Sequence, residues 1–268
     1  MFSPTIGFAL TSGGDEPETP PGMSRFAAYV VLVLAILLGG GSLLLFGAFL
    51  VLGPFDVIRW NAPEFQILEW DGCLCLLFFL QHSVMIRHSF RGWIGRLVPE
   101  PYYPAVYALA SGVALTAVVL LWQTSPTMCF TLPVSWSFVP RIISALAVGG
   151  FVWGVRALKV FDPFGRLVLQ AYLRGRRLPT LPLVVRGPCL WVRHPLYSCM
   201  LVLIWSVSAM SLDRLVFNAL WTAWIVIGTI LEERDLVTEF GDRYRQYQQT
   251  VPMLLPWRGL ISRRPPGS

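Results

Sequence analysis

FAAYVVLVLAILLGGGSLLLFGAFLVL, the stretch from Phe26 to Leu52, contains no charged residue. At 1.5 Å per residue a helix needs roughly 20 apolar residues to cross about 30 Å of hydrocarbon, and this run exceeds that length. It is also much longer than the roughly 7–15 residues of a signal-peptide core, and no Ala-x-Ala site closes it, so it is expected to stay as an anchor. That reading makes the bilayer the solvent of the fold.

Upstream, TSGGDEPETPPG (Thr11 to Gly22) is polar, acidic and proline-rich. It cannot bury a core, so residues 1–24 are expected to be disordered, and Met23 is an alternative start. Downstream, further apolar segments at 66–86, 103–122, 142–160, 195–212 and 215–231 approach or exceed the spanning length. The expected fold class is all-α, a polytopic membrane bundle of about six transmembrane helices built as one domain by residues 25–268. The last two segments are short and separated only by Asp213 and Arg214, so they read as a tight helical hairpin.

Composition agrees: 55% of residues are hydrophobic and 13% charged, against roughly 25% charged in soluble domains. The formal charge of +6 raises the question of nucleic acid. The basic residues are nearly all arginine and lie in short segments between apolar runs, which is the pattern that orients membrane helices. With the N-terminus inside, Arg87, Arg91, Arg96, the 159–193 segment and everything after Glu232 are cytoplasmic, leaving Arg59, Arg141 and Arg214 outside. Both termini are thus expected on the cytoplasmic side of the inner membrane. Glu69 and Asp71 are expected to reach interfacial water at the outer end of the second span, and Arg156 and Lys159 to snorkel at the inner end of the fourth. The five cysteines show no CxxC spacing and read as reduced thiols, with no metal expected.

The densest chemistry lies in GPCLWVRHPLY, Gly187 to Tyr197, where an Arg193-His194 pair precedes Pro195. Proline at the first helical position leaves unpaired N–H groups at the helix start, a place for an anion beside Arg193. After the hairpin stand Glu232 and Glu233, so a carboxylate pair meets the Arg-His pair at one membrane face. Glutamate accepts from hydroxyls or an ammonium, arginine takes a carboxylate, and Trp191 or Tyr197 stacks on a ring or cation. That set suits a sulfonium cofactor without being unique to it. From Glu232 to Tyr247, apolar residues recur at helical spacing among charges, predicting an amphipathic helix that caps the site, with Pro252 to Trp257 folding back on the membrane surface.

The strings RHPLY, EERDL, FGDRYRQY and VPMLLPW resemble the membrane methyltransferase superfamily of isoprenylcysteine carboxyl methyltransferases and phospholipid N-methyltransferases. LQHSVM (80–85), RLVP (96–99) and FDPFG (161–165) extend the likeness to the bacterial methanethiol S-methyltransferase branch. The resemblance implies an S-adenosylmethionine pocket formed by the RHPxY segment and the glutamate pair, a cofactor module at 187–257, with Arg193, His194, Pro195, Tyr197, Glu232 and Glu233 as its residues. Two departures stand out. Cys189 takes the place of an aromatic residue and Cys199 that of a glycine, and a thiol at 199 is expected to narrow or shift the pocket.

His82 reads in three ways: a satisfied buried imidazole, a proton acceptor for a thiol, or a haem ligand with His194. Asp162 reads as an Asx turn or cap. The expected reaction is methyl transfer to a small thiol such as methanethiol. A lipid or prenylcysteine acceptor, or a non-enzymatic membrane protein linked to nitrogen-oxide metabolism, stays open. The resemblance puts an arginine ahead of the glutamate pair in the carboxylate-methylating branch, and 215–231 has no basic residue.

Overall fold

Long apolar runs become long helices because only a helix satisfies its own backbone in hydrocarbon. The computed structural model describes residues 25–158, 161–176, 183 and 185–257; the expectations for residues 1–24 and for Lys159 lie outside them. In order, α1 (Arg25–Leu34) passes through a π-helical segment (Ala35–Gly40) into α2 (Gly41–Leu52), followed by α3 (Glu64–Ile86), α4 (His88–Ile94) and α5 (Tyr103–Leu120). Next come β1 (Met128–Thr131), α6 (Phe138–Ala157), α7 (Arg166–Leu173), α8 (Pro195–Trp205), β2 (Ala209–Ser211), α9 (Leu212–Phe240) and α10 (Asp242–Thr250). Among the described residues, five stretches are long and apolar enough to cross a membrane: Phe26–Leu52, Glu64–Ile86, Glu100–Leu120, Val134–Ala157 and Leu212–Phe240. The all-α polytopic bundle is therefore the fold.

The hairpin differs from expectation. Helix α8 has 11 residues and stops at Trp205. The chain then continues through β2, which pairs antiparallel with β1. Because β1 lies between α5 and α6, this pairing brings the α8–α9 turn to the end of the bundle where those helices also turn. A helix of this length rises only about 16 Å, so the non-helical residues that follow complete the passage. Asp213 and Arg214 are not a solvated linker but the buried first turn of α9, 0% and 6% exposed.

Their burial organises the end of the bundle away from the Arg-His motif. Asp213 accepts hydrogen bonds from Trp122 Nε1 (2.9 Å) and the Ser125 amide (3.0 Å). Arg214 donates to the Leu50 carbonyl (3.0 Å) and lies over the rings of Phe49 and Phe217. Asp71, expected at interfacial water, is instead fully buried and accepts from the Gln123 amide at 3.0 Å. The loop after α5 supplies backbone donors that a lone span lacks, and they hold both carboxylates inside.

The core is aromatic. Phe46 stacks on Trp221 (centroids 4.6 Å apart) and Phe79 on Trp224 (4.5 Å), joining α2, α3 and α9. Helix α5 touches the π-helical segment backbone to backbone: a Cβ on Gly112 would stand 2.8 Å from the Leu38 carbonyl oxygen and 2.9 Å from Gly39 Cα. Small residues permit such approach where the surrounding lipid is as apolar as the helices themselves. Outward-facing side chains such as Leu37, Leu44, Leu52 and Leu146 are exposed, as a bilayer solvent requires.

Candidate active site

Pro195 opens α8 with His194 as its N-cap. The preceding backbone is held by the returning segment after α10: the Arg193 amide donates to the Pro252 carbonyl (2.9 Å), the His194 amide to Met253 (3.1 Å), and Ser198 Oγ to Leu254 (2.6 Å). The expected amphipathic cap is two helices, because α9 runs on to Phe240 and the chain breaks at Gly241 before α10. Pro252 to Leu254 fold back onto the Arg-His segment, where the sequence suggested the membrane surface.

Glu233 is the hub of this cap. Arg193 grips it with two parallel bonds, Nε to Oε1 at 2.5 Å and Nη2 to Oε2 at 2.8 Å. His194 Nε2 lies 3.2 Å from Oε1, Gln248 Nε2 donates to Oε2 at 2.9 Å, and Tyr244 OH donates at 3.4 Å. Arg193 also donates through Nη1 to the carbonyls of Gln248 and Val251. Arg193 and Glu233, both read from the sequence as ligand-binding residues, thus bind each other and fasten α9, α10 and the start of α8 together. Burial raises the Tyr244 and Tyr247 phenols well above the ordinary tyrosine range, so both act as donors, Tyr247 to the Cys189 carbonyl. The Cys189 thiol is pushed up by the same desolvation.

Glu232, one residue earlier, points differently. It accepts from Tyr197 OH, and the Tyr197 ring stacks on His194 with centroids 5.5 Å apart and planes inclined by 8°. Tyr197 also lines the main cavity, which measures about 850 Å³ counting its open mouth. Its walls are mainly apolar, with Phe46, Phe78, Trp221 and Trp224 prominent. His82 lines the same cavity; its Nε2 lies 2.6 Å from Tyr107 OH and its Nδ1 3.2 Å from Ser111 Oγ. Both ring nitrogens are occupied, so one donates and one accepts.

Pro163 and Phe164 also line the cavity. Asp162 does what its turn predicts: its carboxylate caps α7, accepting from the amides of Arg166 (2.8 Å) and Leu167 (2.7 Å). Gly165 follows at φ +69°, with no room for a Cβ against Pro104. The three segments read from the sequence do meet here.

Cys199 lies outside the cavity. Its Sγ faces α6, where a Cβ on Gly150 would come within 2.9 Å of it, so the thiol is accommodated by a glycine on the neighbouring helix. Sequence reasoning missed Tyr107, Ser111, Trp221 and Trp224. The signal was present in spacing: 107 and 111 are one helical turn apart, as are 221 and 224, so each pair shares a face. What no spacing shows is that those faces look toward His82.

No family model matches the sequence, and no solved structure matches it. Among curated proteins the chain is similar to a methanethiol S-methyltransferase of Pseudomonas deceptionensis, 40% identical over 207 residues that cover 74% of each chain. It is also similar to a methanethiol S-methyltransferase of Mycobacterium tuberculosis, 32% identical over 73% of this chain and 81% of that protein. A more distant likeness, 29% over 63% of this chain and 68% of the relative, is to the mouse protein nurim. With identities of this size over most of both sequences, the chain belongs to the methanethiol S-methyltransferase family.

Proposed function

We propose that this chain transfers a methyl group from S-adenosylmethionine to a small thiol such as methanethiol, at the cavity between Tyr197 and His82. The observation that carries the reading is that one apolar-walled space joins two polar poles, Tyr197 with Glu232 and His82 with Tyr107 and Ser111. The residues fit the donor: Glu232 can accept from ribose hydroxyls or an ammonium, and the faces of Phe78, Trp221 and Trp224 suit a sulfonium.

When bound, the donor supplies a methyl group on a positively charged sulfur, a leaving group already activated. The protein's part is positioning, exclusion of water and removal of the acceptor's proton, since thiolate rather than thiol is the nucleophile. His82 acts through its neighbour. The thiol proton passes to the Tyr107 oxygen while the phenol proton moves to His82 Nε2 across the 2.6 Å contact. The acceptor sulfur then forms the new S–C bond as the old one breaks, and the released electron pair neutralises the sulfonium. Thioether and S-adenosylhomocysteine leave, and the imidazolium releases the proton to water through Tyr107, which restores neutral His82.

The end bearing this cavity is also the end bearing Arg87, Arg91, Arg96, Arg166, Arg174, Arg176 and Arg186, whereas the opposite end carries Arg59, Arg141 and Arg214. By the positive-inside rule this distribution supports our reading that the site and both termini are on the cytoplasmic side of the inner membrane. Membranes given labelled S-adenosylmethionine and methanethiol should release labelled volatile thioether, and Glu232→Gln should abolish it. Label found only in lipid overturns the thiol acceptor, and failure of the purified protein to bind S-adenosylhomocysteine overturns the donor.

A further inference from the structure

Because Arg193 is fully engaged by Glu233 and two carbonyls, the donor's carboxylate needs another cation. Three arginines lie between α3 and α5. Arg87 and Arg96 are exposed, as orienting charges at a membrane face should be, but Arg91 on α4 is half-buried. An orienting arginine lays its stem on apolar surface and keeps its head in water. Arg91 instead sets its guanidinium 5.2 Å from the centre of the Tyr103 ring, and its Nε is buried without a hydrogen-bond partner. It meets no carboxylate among the described residues.

The position is tied to the cavity through α5. Tyr103 and Tyr107 are four residues apart and so occupy the same face, separated by roughly 6 Å of rise. Tyr103 OH donates to the Met85 carbonyl, and Tyr107 OH meets His82 and lines the cavity. Arg91 thus packs on a tyrosine one helical turn along α5 from the cavity-lining Tyr107. Glu232 stands at the same cavity through Tyr197, which lines it, so the site offers a carboxylate as well as the Arg91 cation. A zwitterionic amino-acid group, with its ammonium and carboxylate on adjacent atoms, is the chemistry that such a pair recognises.

We propose that Arg91 binds the carboxylate of the methyl donor's amino-acid arm, the role that the sequence alone assigns to Arg193. This rests on the donor reading given above. Guanidinium is suited to it because its fork can meet a carboxylate with two parallel bonds.

Two ligands separate the proposal from that reading: S-adenosylhomocysteine, and 5′-methylthioadenosine, which keeps the nucleoside and thioether but lacks the amino-acid arm. Isothermal titration of the full chain in detergent should show Arg91→Gln weakening S-adenosylhomocysteine roughly 10- to 100-fold, the scale of a hydrogen bond to a charged group, with 5′-methylthioadenosine unchanged. Arg91→Lys should recover part of the loss. Equal weakening of both ligands would mean that Arg91 only holds α4 in place, and unchanged S-adenosylhomocysteine affinity would leave it no role; either overturns the proposal. If the wild-type chain binds 5′-methylthioadenosine and S-adenosylhomocysteine equally well, the donor reading stands and the carboxylate site falls. If it binds neither, both fall.

Discussion

Replacing Glu233 by alanine removes the anchor of the cap rather than a ligand contact. The Arg193 and Glu233 side chains are 9% and 11% exposed, so the substitution leaves a guanidinium buried without its countercharge. Breaking a buried pair from one side costs about 3–5 kcal/mol. Summing separate charge-assisted bonds from Arg193, His194, Gln248 and Tyr244 would give more, but Arg193 keeps its two carbonyl acceptors and water can enter. At about 1.4 kcal/mol per decade, opening of α10 should become roughly 10²- to 10⁴-fold more frequent. Amide hydrogen exchange read at residues 242–250 measures that directly, while protection in α3 and α5 should hardly change. The Arg193→Ala and Glu233→Ala double variant should cost less than the sum of the singles by about 0.5–3 kcal/mol, because both remove the same interaction. Unaltered exchange in α10, or strictly additive costs, would refute the hub.

Glu232→Gln, by contrast, should leave α10 protection intact while reducing S-adenosylhomocysteine affinity at least about tenfold by titration, the scale of one bond to a charged group. Tyr107→Phe should bind S-adenosylhomocysteine normally yet lower thioether formation by roughly 10²–10⁴, the usual worth of a positioned acid–base group; normal turnover would remove Tyr107 from the proton route. Gly150→Ala should destabilise the α6–α8 contact by about 1–3 kcal/mol through overpacking against Cys199 Sγ, and Cys199→Gly should restore it; no rescue in thermal unfolding would place the clash elsewhere. Cys129, exposed on β1, should react with a membrane-impermeant maleimide on intact spheroplasts, and Cys129→Ser should abolish that label. Labelling only after lysis would invert the topology.

Where the chain crosses the membrane was largely legible, because hydrocarbon thickness converts directly into run length. Phe26 to Leu52 shows it most plainly. The boundary between the last two spans was not, since a two-residue charged gap reads as a loop unless something buries the charges. Trp122, Ser125 and Leu50 do so, from residues far away in sequence. Asp71 misled for the same reason.

The sequence by itself determined the solvent, the helical class and which residue types gather near Arg193, because these follow from local composition and spacing. Only the tertiary structure decided their roles. Two adjacent glutamates look alike in a string, yet successive residues on a helix point about 100° apart. Glu233 therefore turns into the cap and is saturated by Arg193, while Glu232 turns toward Tyr197 and the cavity. Likewise Cys199, whose position in the motif promised a narrowed pocket, is absorbed by Gly150 on a helix that no local pattern links to it. Partner choice between helices depends on packing across the bundle, and that information is not carried by any one segment.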